Sequence, residues 1–419
     1  MSTPAAVDRP LHLRLRRPTP GLLALPWGAP LRRWPKGSAT FRRLMVGPSR
    51  HAVRFAVIDG DTVALKEEPI DVARREYDAL REIEARALPA VRVIGIAERP
   101  EDGTAILATD YLRHSLQYRR LMARVPLVAG GYRDRLLDAM ASLLVDLHRA
   151  GVFWGDCSLA NTLLRRDGDR LQAYLVDAET SEIHPRLSDG QRAADLDVLV
   201  ENVAFGLADL AASQGHPEAM DEQALAASAV RGRYDDLWQE LFRVETIAVG
   251  DAFAIEARVR RLNELGFAVE EVEIEPGGRE PASARLRVVV SERDFHTREL
   301  RRRARLNALE GQAHLLLHDM REYRAWLAAS TDRPVSREEG AERWRRERLD
   351  PSLARLAPVI GPDRDPLQAY CDLLEHKWLL SEAAGRDVGF EAAFASYLDS
   401  GAPAPETARP TVRPLAKRA

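Results

Sequence analysis

The chain has 419 residues with a formal net charge of −3, 45% hydrophobic and 30% charged residues, and two cysteines, Cys157 and Cys371. That length exceeds what one core usually serves, the apolar content excludes wholesale disorder, and two cysteines exclude a disulfide scaffold or an all-cysteine zinc centre. Charge is uneven: residues 1–54 hold eleven Lys and Arg against the single acid Asp8, and of 61 Lys and Arg in the whole chain only Lys36, Lys66, Lys377 and Lys417 are lysines.

Residues 1–38 read as a basic, proline-interrupted arm. Such an arm docks on phosphates or on acidic surface of its own fold, and Leu11, Leu13 and Leu15, alternating with His12 and Arg14 as in an edge strand, favour the second. The most apolar N-terminal run, Gly21 to Leu31, is broken by Pro26 and Pro30 and falls short of the ~18 residues a spanning helix needs, so a cytoplasmic protein with no membrane span is expected. After a Val46-Gly47-Pro48-Ser49 turn, His51 to Ile58 sets Val53, Phe55 and Val57 on one face. Asp59-Gly60 supplies a hairpin turn and Thr62 to Lys66 returns as a second strand. A helix from about Asp71 to Leu88 stops at Pro89, and strand-like stretches follow at Val91 to Ile96 and Thr104 to Thr109. Residues 132–150 form a helix with Leu136, Met140, Leu143, Leu144 and Leu147 on one stripe and Gly151 as its stop. Asn161 to Arg165 and Leu171 to Asp177 make a hairpin, and residues 189–212 are helical again.

From about 246 the texture changes. A helix through Ile255, Val259 and Leu262 precedes strands near Val269 to Ile274 and Leu286 to Val290, with a Gly277-Gly278 turn between them. Long helices are expected over 297–329, 337–349 and 364–396, and a disordered tail over 401–419.

Two constellations carry chemistry. In the helix after Lys66, the position one turn before the stripe Leu80, Ile83 and Ala87 is Glu76, a carboxylate aimed at the core that needs a cation, and Lys66 at the end of the preceding strand is the natural one. Ala64 and Lys66 share one face of that strand, which leaves room for a flat ligand over the alanine and a phosphate at the ammonium. In the second constellation, Asp156 and Asn161 stand five positions apart in the loop that follows the 132–150 helix, and the hairpin delivers Val176-Asp177-Ala178-Glu179 sixteen residues after Asn161. Two acids and an amide at the ends of short strands suit a site that holds Mg²⁺ and lines up a hydroxyl.

In this order the residues resemble the protein-kinase-like fold over roughly residues 40–245. The resemblance implies an α+β chain: the basic arm over 1–38, a bilobal kinase-like domain with its N-lobe over 39–113 and C-lobe over 114–245, then a mainly helical α/β C-terminal domain over 246–400. It implies ATP and Mg²⁺ as cofactors. Lys66 would bind the α- and β-phosphates and pair with Glu76; Asp156 would orient the acceptor hydroxyl and receive its proton; Asn161 and Asp177 would hold Mg²⁺. Tyr111 and Leu112, with Asp110, fall where the hinge meets adenine. Gly47 and Ser49 stand where a G-x-G-x-x-G loop is expected, so phosphate cover falls to Ser49, Arg50 or His51.

Departures narrow the class. Trp154-Gly155 replaces the His-Arg before the catalytic Asp, Ala178-Glu179 replaces Phe-Gly after the metal Asp, and no Ala-Pro-Glu segment follows. The shortened pattern looks more like atypical kinases that phosphorylate small molecules or glycans, especially the lipopolysaccharide core kinases. It is also similar, over the whole chain, to an uncharacterised bacterial family that adds a C-terminal domain of unknown function. A phosphotransferase acting on a hydroxyl of a small molecule, glycan or lipid-linked acceptor is therefore expected, with a nucleotide-binding pseudokinase or scaffold as the alternative. In the C-terminal half, Arg298, Arg301, Arg302, Arg303 and Arg305 read as a solvated helical face rather than a nucleic-acid contact. His314 with His318, and Glu375-His376-Lys377-Trp378 with Glu382, read as chance spacings rather than metal ligands.

Overall fold

Alternation of apolar and polar residues builds a six-stranded antiparallel sheet near the start of the chain. It comprises β1 (His12–Leu15), β2 (Thr40–Arg42), β3 (Ala52–Ile58), β4 (Asp61–Pro69), β5 (Val93–Arg99) and β6 (Thr104–Asp110), in the order β1-β5-β6-β4-β3-β2. This computed structural model describes residues 11–44, 51–122, 131–276 and 283–404. Asp59 and Gly60, with φ of 51° and 91°, turn β3 into β4, the left-handed pair that a two-residue hairpin favours. The register sets Val53 opposite Lys66 and Phe55 opposite Ala64.

The basic arm docks on this sheet. β1 adds antiparallel to β5, and Leu22 of the short helix α1 (Pro20–Leu23) joins Leu25, Trp27, Leu31 and Trp34 in a core with Val63, Leu65, Ile106 and Ala108. Trp27 and Trp34 meet edge to face, with ring centroids 5.7 Å apart. Polar contacts fix the seam: Arg14 and Arg74 donate to Glu98 at 3.1 and 2.7 Å, Arg16 pairs with Glu84, and the Leu31 amide donates to Glu67 at 2.9 Å. One face of β4 is thus sealed by the arm, while Ala64 and Lys66 lie on the other. That second face receives α2 (Ile70–Ala85), whose buried stripe is Ala73, Glu76, Tyr77, Leu80 and Ile83.

Further along come β7 (Ser115–Gln117), α3 (Tyr118–Met122), α4 (Tyr132–Arg149), β8 (Val152–Phe153), β9 (Thr162–Asp167), β10 (Arg170–Leu175), β11 (Glu182–Ile183), α5 (Asp189–Ser213), α6 (Met220–Ala227) and α7 (Ala229–Phe242). Strands β7, β9 and β10 form a sheet ordered β10-β9-β7, and β8 pairs antiparallel with β11. A Ser188 and Gln191 capping box starts α5, as an S-x-x-Q spacing favours.

The chain forms two units. One takes Met1–Arg119, Met140–Leu164 and Ala173–Tyr234; the other takes Arg120–Ala139, Arg165–Gln172 and Asp235–Ala419. The second unit is therefore built from more than the residues after 245. It contains β12 (Glu245–Ala248), α8 (Ala252–Glu264), β13 (Val269–Pro276) and β14 (Ser283–Val290), with the three strands in the antiparallel order β12-β14-β13. The Gly277-Gly278 turn lies outside the described residues.

Two of the three long helices expected here are interrupted, and the third is prolonged. The 297–329 segment is two helices, α9 (Phe295–Ala304) and α10 (Glu310–Thr331), because Arg305 closes α9 in a left-handed conformation at φ 53°. The 337–349 segment, α11 (Arg337–Trp344), runs through a π-helical turn over Arg345–Leu349 into α12 (Asp350–Ile360). The 364–396 segment divides into α13 (Pro366–Ala384) and α14 (Phe390–Asp399), with left-handed Gly385 ending the first. Leu316, Trp344, Tyr370, Phe394 and Tyr397 share their core, where buried Asp319 accepts from Trp344 Nε1 at 2.6 Å and from the Tyr370 hydroxyl at 2.7 Å. Ala402 is buried and the Pro403 carbonyl accepts from the Tyr397 hydroxyl at 3.0 Å, so the expected tail is packed as far as these residues; 405–419 lie outside the described residues.

The break before α10 has a partner. The Gly311 and Gln312 amides donate to the Asp167 carboxylate at 2.8 and 2.7 Å, a helix N-terminus meeting an anion. A Cβ on Gly311 would lie 2.3 Å from the Asp167 carbonyl oxygen, so glycine is required there. Burial outweighs those two amides and pushes the Asp167 carboxyl up to about 6. Because the folded state binds this proton more tightly than the unfolded chain, the contribution is fully present below pH 3.8 and is lost as pH rises through about 6. Over that window the full-length chain should lose about 3 kcal/mol relative to Asp167→Asn, read as the difference in denaturant midpoints. A difference that stays flat with pH contradicts this.

Candidate active site

Lys66 emerges from β4 into a ring of carboxylates. Its Nζ lies 2.8 Å from Glu76 Oε2, 2.9 Å from Glu68 Oε2, 3.1 Å from Asp177 Oδ2 and 3.9 Å from Glu179 Oε2. Burial pulls the ammonium down, but Glu76, Asp177 and Glu68 outweigh it and hold Lys66 well above the ordinary lysine range. Glu76 is 1% exposed; burial, helped by Glu68 and Asp177 against Lys66, pushes its carboxyl well up.

Asp156 and Asn161 sit in the loop between β8 and β9. The Asn161 side-chain amide donates to Asp156 Oδ2 at 2.9 Å and to the Asp156 carbonyl at 3.2 Å, and the Asn161 backbone amide donates to Ser158 Oγ at 3.2 Å. Its remaining polar atom, Oδ1, is a hard oxygen of the type Mg²⁺ takes, as are the carboxylate oxygens of Asp177, so the donor set fits such an ion. Asp177 lies two residues beyond β10, where its Oδ1 accepts from the Glu179 amide at 3.3 Å. The Val176 amide donates to the Asn161 carbonyl at 3.1 Å, tying the two segments together.

What holds this loop is Asp195, on α5. It is fully buried and accepts from the Trp154 and Gly155 amides at 2.6 and 2.7 Å, with Cys157 Sγ at 3.4 Å and His148 Nε2 at 3.1 Å. His148 Nδ1 in turn meets the Tyr234 hydroxyl at 2.8 Å, and burial lowers the imidazole toward its neutral form. Gly155 has φ 82°, and a Cβ there would stand 2.9 Å from the Thr180 carbonyl oxygen; a side chain before Asp156 is excluded by the backbone. Burial and Asp195 push the Cys157 thiol well up, so it is no nucleophile.

Residues 61–218 match the Lipopolysaccharide kinase (Kdo/WaaP) family, and residues 236–401 match the Domain of unknown function (DUF4032). The chain joins a lipopolysaccharide-kinase-family segment to a DUF4032 domain. Among solved structures it is similar to WaaP in complex with acyl carrier protein, at 18% identity and TM-score 0.32 over 48% of this chain and 89% of that one. The kinase domain of Mycobacterium tuberculosis PknI is similar at 21% identity and TM-score 0.29, over 40% and 72%. No curated protein matches the chain.

All five residues Lys66, Glu76, Asp156, Asn161 and Asp177 fall inside the lipopolysaccharide-kinase-family segment. Lys66, Glu76 and Asp177 come together directly, and Asp156 and Asn161 form their own pair. Where the hinge is expected, the Tyr111 amide donates to the Thr62 carbonyl at 3.2 Å, with its ring edge to face on Phe55; the Leu112 carbonyl accepts from Ser115 Oγ at 2.7 Å. Gly47 and Ser49 lie outside the described residues, as does Arg50, while His51 Nε2 lies 3.6 Å from Glu179. Sequence reasoning missed Glu68, Glu179 and Asp195. Glu68 shares a strand face with Lys66 by simple alternation, and Asp195 stands one turn before Leu199 on a buried stripe, the signal that singled out Glu76.

In the DUF4032 domain, His314 Nδ1 lies 3.1 Å from His296 Nε2, and burial with the neighbouring His296 brings it down to about 4. His318 meets Glu322 and His376 meets Ser396, so neither spacing gathers a metal set among the described residues. Arg298, Arg302 and Arg303 pair with Asp294 and Glu299 on exposed helix. No helix among the described residues is long and apolar enough to cross a membrane.

Proposed function

We propose that the chain transfers the γ-phosphoryl group of ATP, with Mg²⁺, to a hydroxyl of a small molecule, glycan or lipid-linked acceptor. The observation that carries this reading is Lys66 held between Glu76 and Asp177 at 2.8 and 3.1 Å. Glu76 anchors the ammonium from the core side, so Lys66 approaches phosphate oxygens without swinging. Asn161 and Asp177 would hold Mg²⁺, which supplies charge neutralisation at the phosphates. The Asp156 carboxylate, fixed by Asn161, accepts the acceptor's hydroxyl proton as the oxygen bonds to the γ-phosphorus and the bond to ADP breaks. Asp195 keeps the Asp156 loop in one conformation, so most of the rate enhancement is positioning.

Gly155 occupies the place of an arginine that would read a phosphorylated activation segment, and the tight approach of Thr180 leaves no room for one. ADP release from MgATP should rise when a glycan or sugar acceptor is added and fall by about 10²–10⁴ in Asp156→Ala. Acceptor-dependent release at the parental rate in that variant would remove the role given to Asp156. Nucleotide binding without release by the parent would favour the scaffold alternative.

A further inference from the structure

The four carboxylates around Lys66 exceed what phosphate binding asks for. One ammonium faces Glu68, Glu76, Asp177 and Glu179, and an excess of negative charge in a largely buried cluster needs a cation. Glu68 states the need most sharply. Its side chain is fully buried; Oε2 lies 2.9 Å from Lys66 Nζ, but Oε1 accepts no hydrogen bond from any described residue. Glu68 also belongs to a set with His51 and Glu179, in which one ligand atom from each residue lies within 4.8 Å of the other two. His51 Nε2 and Glu179 Oε2 are 3.6 Å apart, a separation two ligands of one ion with bonds of about 2.1 Å adopt.

We propose that His51, Glu68 and Glu179 together bind a divalent cation beside Lys66, at a site separate from Asn161 and Asp177. One imidazole nitrogen with two carboxylate oxygens suits Mn²⁺ or Zn²⁺ better than Mg²⁺, which prefers oxygen alone. Three elements supply the ligands: the residue leading into β3, the end of β4, and the segment after Asp177 where Ala178-Glu179 stands in place of Phe-Gly. The ion engages Glu68 and Glu179, which leaves Lys66 to Glu76 and Asp177. The site needs no nucleotide and so does not depend on the proposed phosphoryl transfer.

Mn²⁺ titration of the full-length chain without nucleotide, followed by electron paramagnetic resonance, tests this. The expected result is one bound Mn²⁺ per chain with a ¹⁴N coupling from imidazole. Affinity should fall at least tenfold in Glu179→Gln and in His51→Ala, with the nitrogen coupling lost in the latter and binding unchanged in Asp156→Ala. Glu68→Gln should behave alike; because Glu68 is buried, the two less buried positions decide the question if that variant does not fold. No uptake at millimolar Mn²⁺, or uptake that survives both variants and disappears in Asp177→Asn, would overturn the proposal.

Discussion

Replacing Lys66 with methionine is expected to destabilise the chain by about 3–5 kcal/mol at neutral pH, because Glu76 and Glu68 lose the ammonium that compensates their burial. Phosphoryl transfer should be lost with it, by about 10³ or more, as the group proposed to meet the phosphates is gone. Lys66→Arg separates the two effects. A guanidinium keeps the charge and much of the stability, but its planar fork cannot reproduce a compact ammonium 2.8–3.1 Å from three carboxylates, so nucleotide use should still fall. Denaturant midpoints together with ADP release check both. Transfer by Lys66→Arg at the parental rate would contradict the account. This chain otherwise chooses arginine for nearly all its cations, so a lysine retained at this position has a chemical reason.

The second large effect is expected at Asp195, the buried acceptor of the Trp154 and Gly155 amides. Asp195→Ala leaves the Trp154 and Gly155 amides without their acceptor in a fully buried place, at about 3–5 kcal/mol. Asp195→Asn, which can still accept from one of the two amides, should lose about half of that. Hydrogen exchange at Trp154 and Gly155 reads the local effect, and their amides should lose protection in both variants. Protection equal to that of the parent would mean the loop is held by something other than Asp195.

Much of the arrangement was legible in the sequence, through local patterns that report a long-range need. A carboxylate on an apolar stripe announced Glu76, and a two-residue alternation placed Lys66 opposite the face that the arm seals. The same stripe argument applied to Asp195, but its donors are backbone amides of a loop some 40 residues earlier, and no side chain in the sequence advertises them. Glu68 was hidden differently: two adjacent glutamates look like solvated surface, and only the pairing of β4 shows that Glu67 turns toward Arg99 and the arm while Glu68 turns toward Lys66. The broken helices divide along a similar line. Gly385 is an ordinary stop signal inside a periodic run, whereas Arg305 and Asp332 close their helices in left-handed conformations that sequence gives little reason to expect. For α10 the reason is tertiary, since its N-terminus must meet Asp167 on the β9 to β10 hairpin.

Lys66, Asp177 and Asn161 are proposed to form a MgATP site. Thermal unfolding of the full-length chain across a MgATP titration tests it most directly, because a ligand that binds only the folded state must stabilise it, by about 2.7 kcal/mol at a hundred times its Kd. The account predicts a concentration-dependent rise in Tm for the parent that is strongly reduced in Lys66→Arg and in Asp177→Asn. A parent whose Tm does not move at millimolar MgATP, or variants that shift as much as the parent, would contradict it.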